Sequence, residues 1–149
     1  MPGARRFCSL VAIGLVALLT LVSAGCTPRG PEFVDAGASY DQAAVTALAK
    51  GIDTAKLAET PSSKAAGLRH EALVGLRSRG GSAVAIADMM TKTFSAETRG
   101  VPVYFERATY NGTPAIIVVE AVGPNQGKLS TRRVWVLDEK GGVLYAGGQ

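Results

Sequence analysis

The spacing of apolar residues changes period once along this chain, near residue 100, and the change sets the class of fold. Before it, apolar side chains recur every three to four residues. After it, short stretches rich in β-branched and aromatic residues follow one another between glycine-containing turns, so helices should come first and a sheet second. Asp41 stands where a cap is needed ahead of a helix over Gln42 to Lys50, with Val45, Leu48 and Ile52 on one face and Gly51 as its stop. A stronger helix follows Pro61, capped by Ser62 or Ser63 and carrying Ala65, Leu68, Ala72, Leu73 and Leu76. Gly80-Gly81 ends it. Ser82 then caps a third run with Ala83, Ile86, Ala87, Met90 and Phe94 as its apolar stripe.

Beyond residue 100 the expected strands are Val103 to Tyr110, Ala115 to Val122, Arg132 to Asp138 and Val143 to Ala146. Asn111-Gly112 is the favoured two-residue hairpin loop. Pro114, just after it, suggests an edge strand or a longer turn. The sequence therefore predicts an α+β fold, with two or three N-terminal helices packed on one face of a four-stranded antiparallel meander. Leu68, Leu73, Leu76, Ile86, Met90, Phe105, Ile117, Val119 and Trp135 are its expected core.

Ahead of the helices lies a segment of another kind. Arg5 and Arg6 precede an apolar run from Leu10 to Val22, which at roughly 13 residues is short of the ~20 that a spanning helix needs. Ser23-Ala24-Gly25-Cys26 closes it. This arrangement resembles the lipobox of bacterial lipoproteins, with Ser23 at a place most often held by Leu. The resemblance implies that Cys26 is alkylated by a diacylglyceryl group, becomes the first mature residue, and carries palmitate or similar chains into a cell membrane on its extracytoplasmic side. An ordinary secretory signal cleaved after Gly25 is the alternative.

The expected organisation is a signal peptide over 1–25, a flexible tether over 26–40 that includes Ala36-Gly37-Ala38-Ser39, and a single domain over 41–149. Removing 25 of 149 residues leaves 124, enough for one domain. Cys8 departs with the signal, so Cys26 is left without an internal disulfide partner. The formal charge of +4 falls to +2 once Arg5 and Arg6 are gone, which gives little reason to expect a nucleic-acid partner.

Candidate chemistry is sparse. His70-Glu71 resembles the opening of a zinc-protease helix, but Val74 stands where the second imidazole is required and His70 is the only histidine. No nucleophile elbow or phosphate-cradling loop is present. The reading is no catalytic, metal or cofactor residue. Glu106 and Glu120, which a strand pair could bring near each other, are kept as the basis of an alternative in which the chain is a small envelope hydrolase. Glu120 could instead pair with Arg107 or Arg133 across strands.

The helix-then-meander order, and Val134 to Leu144 as an apolar strand, acidic turn, glycine and apolar strand, resemble the repeat unit of the β-lactamase inhibitory proteins and the small outer-membrane assembly lipoproteins. The likeness implies a protein-binding module. The leading expectation is a non-catalytic module, tethered through Cys26, that binds an envelope protein or cell-wall ligand, with Tyr104 and Tyr110 as a possible interaction surface. A purely structural lipoprotein is a further alternative.

Overall fold

The computed structural model describes residues 30–148; Cys26 and the segment expected to be a signal peptide lie outside the described residues. The chain forms β1 (Glu32–Tyr40), α1 (Gln42–Gly51), two single-turn 3-10 helices (Ala55–Leu57 and Ser62–Lys64), α2 (Ala65–Arg77) and α3 (Ser82–Thr93). Then come β2 (Gly100–Tyr110), β3 (Thr113–Val122), β4 (Thr131–Leu137) and β5 (Val143–Gly148). The fold is α+β, as the change of period predicts.

The sheet is mixed and five-stranded, in the order β1-β2-β3-β4-β5. From β2 to β5 the expected antiparallel meander is present. The added strand, β1, lies parallel to β2, with Glu32 opposite Tyr104 and Tyr40 opposite Tyr110. Residues assigned to a tether are thus built into the sheet. The small residues Gly37, Ala38 and Ser39 suit an edge, and the ladder shifts register between Val34 and Ala38, where Gly37 takes a φ of 65°.

Helices cover both faces of the sheet rather than one. The reason is legible in β3, where Ala115-Ile116-Ile117-Val118-Val119 is buried throughout, since consecutive apolar residues point to opposite sides and each side needs a cover. On one face, Val45 and Ala49 of α1 pack with Tyr104, Ile117, Val119, Val134 and Val136. On the other, Leu73, Leu76, Ile86 and Met90 of α2 and α3 meet Phe105, Ile116, Val118 and Leu137. Full burial of a side chain such as Leu76 contributes about 2 kcal/mol. Leu68 and Trp135, expected in the core, are only partly buried at its margins.

The caps are mixed in outcome. Asp41 Oδ1 accepts the Ala44 N–H at 2.8 Å and starts α1. Ser62 and Ser63 enter a 3-10 turn instead of capping α2, and the Ser62 hydroxyl donates to the Pro124 carbonyl at 2.8 Å. Ser82 is the first residue of α3, not its cap, and donates to Asp35 Oδ2 at 2.9 Å. Asn111 and Gly112 have φ of 47° and 83°, the paired positive values of a type I′ hairpin. Pro114 is accommodated because β4 pairs with β3 only from Ile116 onward, leaving the missing N–H without a ladder to break.

Candidate functional site

Each large sheet face holds one buried carboxylate. Glu106, on β2, is 2% exposed and faces α1. Tyr104 Oη donates to its Oε2 at 2.7 Å, and Tyr40 Oη, reaching across from β1, stands 3.0 Å from both carboxylate oxygens. Among the described residues no Lys or Arg forms an ion pair with it. Burial, and then donation to Glu106, raise both phenols above their ordinary value near 10.0, Tyr104 the more strongly.

Glu120, on β3, is 0% exposed and lies on the α2–α3 side. Its Oε1 accepts from Arg69 Nη1 of α2 at 2.6 Å. Its Oε2 accepts from Arg133 Nη2 at 2.6 Å, Arg133 Nε at 3.0 Å and Trp135 Nε1 at 2.8 Å. The Arg133 guanidinium also lies 4.7 Å from the Trp135 ring centroid and pairs with Glu97 at 3.0 Å. Burial alone would raise the Glu97 carboxyl, but the Arg99 backbone N–H and the charge of Arg133 hold it below its ordinary value. Arg69 is 5% exposed; its Nη1 also reaches the Gly100 carbonyl at 3.2 Å, while Nη2 finds no partner among the described residues.

Glu106 and Glu120 are therefore not brought together. They occupy opposite faces, each closed in by its own donors, and do not form the carboxylate pair that the hydrolase reading requires. The cross-strand partner expected for Glu120 is found in Arg133; Arg107 instead pairs with Asp35 at 3.0 Å on the surface. Tyr104 and Tyr110 are 5% and 9% exposed and lie in the core beneath α1, so they are not a contact surface. Their even-numbered positions on β2 direct them to that covered face, where Tyr110 stacks on Tyr145 with ring centroids 6.2 Å apart. His70 is exposed on α2. Among the described residues no group of three His, Cys, Asp or Glu could hold a metal, and no helix is long and apolar enough to cross a membrane.

The residues singled out from the sequence do not include Arg69 or Tyr40. Arg69 could have been found, because it falls among Ala65, Ala72, Leu73 and Leu76 on the apolar stripe, and a cation on a buried stripe requires a buried anion opposite. Tyr40 carries no such signal, because its segment has the composition of a tether.

Two of the surface concavities among the described residues lie against α3. The larger, of about 640 Å³, has Ile86, Met89 and Ile116 in its wall and Asp35, Arg107 and Glu139 as charged members. The smaller, of about 200 Å³, lies between α2 and α3, where Leu73, Met90 and Phe94 adjoin Arg69 and Glu97. No protein-family model, curated protein or solved structure matches the chain.

Proposed function

We propose that this chain is an extracytoplasmic lipoprotein, held on a cell membrane by acylated Cys26, whose head is a non-catalytic module that binds an envelope protein or a cell-wall ligand. The observation that carries the binding half of this reading is the separation of Glu106 from Glu120. Glu106 and Glu120 are parted by the sheet and each is hydrogen-bonded to internal donors, while the larger concavity described above mixes apolar wall with charges of both signs. The lipid half is carried by the sequence ending at Cys26.

Labelled palmitate should enter the wild-type protein in a bacterial host, and Cys26→Ser should abolish the label and release the head from membranes. Attachment by two or more acyl chains is stable where a single chain is marginal, at ~0.8 kcal/mol per buried methylene. Equal labelling of wild type and variant would refute the anchor. For the binding half, Arg107→Glu at the larger groove should lower partner recovery by crosslinking about tenfold, equivalent to ~1.4 kcal/mol, while Lys50→Glu on α1 leaves it unchanged. Undiminished recovery with Arg107→Glu would exclude that groove.

A further inference from the structure

Gly30 to Glu32, where the described residues begin, are packed on the head. Gly30 lies against the backbone of α2, where a Cβ would stand 3.2 Å from both the Cα and the carbonyl carbon of Gly75. Pro31 is buried, and its carbonyl accepts from Arg79 Nη2 at 2.7 Å. Glu32 then begins the pairing with β2. Only Thr27, Pro28 and Arg29 separate Cys26 from Gly30. Even fully extended, that step spans no more than about 14 Å. The headgroup zone of one leaflet is itself roughly 5 to 8 Å deep.

We infer that the domain rests directly on the lipid surface through the C-terminal end of α2 and the turn into α3, Ser78 to Gly81, and does not stand off on a tether. This rests on the lipid reading of Cys26. The partner is the bilayer itself: Arg77 and Arg79 supply cations for anionic headgroups, and the carboxylates nearby, Asp88 and Asp35, are paired with Arg77 and Arg107. Ser78, Arg79, Gly80 and Gly81 are exposed, and three of the four are small enough to let the surface approach closely. Arg79 is fixed there by Pro31, and Arg77, half-exposed in its pair with Asp88, offers a second guanidinium to lipid phosphate. The opposite margin of the sheet, β5, is four strand spacings from β1, about 19 Å away, and faces outward in this pose.

The test uses the full-length lipidated protein in vesicles containing phosphatidylglycerol and a headgroup spin-labelled lipid. With Cys8 removed alongside the signal and Cys26 acylated, a single introduced thiol takes the fluorophore. Ser78→Cys should be quenched several-fold more strongly than Leu144→Cys. A Gly/Ser insertion of about 15 residues after Arg29, with an end-to-end distance of ~20 Å, should erase the difference. Equal quenching at the two positions in protein that carries palmitate and floats with the vesicles would overturn the seating and leave the anchor standing. A difference that survives the insertion would overturn the short linker as its cause. Absence of palmitate and of flotation would overturn anchor and seating together.

Discussion

The two faces of the sheet bury the same side chain by different means. Beneath α1, Glu106 is held by two tyrosine hydroxyls and pairs with no cation of the described residues. Beneath α2, Glu120 is held by two guanidinium groups and an indole N–H. The first arrangement relies on hydrogen bonds in an apolar setting, and the second on charge compensation between secondary-structure elements. They should therefore fail differently. Removing an arginine strands a buried charge, whereas removing a phenol leaves a shared acceptor with one donor fewer.

Arg69→Met should be the most damaging of these changes, at about 3–5 kcal/mol by denaturant unfolding, because Glu120 keeps Arg133 but loses its partner on α2. Adding Glu120→Leu to it should recover much of the loss, since Arg133 still has Glu97; a double variant worse than the single one would break the charge-compensation account. Tyr104→Phe should cost less, about 2 kcal/mol. It should also flatten the pH profile on the alkaline side. A phenol raised by folding contributes its stability fully below its ordinary value near 10.0, and the contribution is lost as pH rises through the raised value. A wild-type stability that does not decline above that pH, or a decline untouched by Tyr104→Phe, would contradict the Glu106 contact. Arg107→Ala, at a pair with both side chains about half exposed, should change stability by no more than ~1 kcal/mol, and added salt should shrink even that.

Much of the architecture could be read from local signals. The Asp41 cap, the stripe on α2 and the Asn111-Gly112 turn each report on a few neighbouring residues, and each places its element. β1, by contrast, owes its place to a distant partner: Ala36, Gly37, Ala38 and Ser39 have the composition of a linker and become strand only beside β2. The placement of the helices on both sheet faces is legible in the unbroken apolar run of β3, whereas the order of helices before strands points only to helices on one face. The separation of the glutamates was legible too. A two-residue loop sets Tyr110 opposite Thr113, and stepping back in register sets Glu106 opposite Ile117, an odd-numbered residue of β3. Glu120 is even-numbered, so its side chain points the other way. The partners of Glu120 on α2 required tertiary packing that no local pattern encodes, except for the anomaly of Arg69 on an apolar stripe.

The parallel strand also bears on the order of folding. β2 and β3 meet through a two-residue loop, while Glu32 finds Tyr104 across about seventy residues, which include all three helices. Closing so large a loop costs entropy before any contact rewards it, so we expect the meander to condense first and β1 to dock last. By the same reasoning its amides should exchange hydrogen fastest in the sheet. If the chain is anchored at Cys26 as proposed, β1 would then act as a late latch, and a pull on that end would be felt first as fraying at β1.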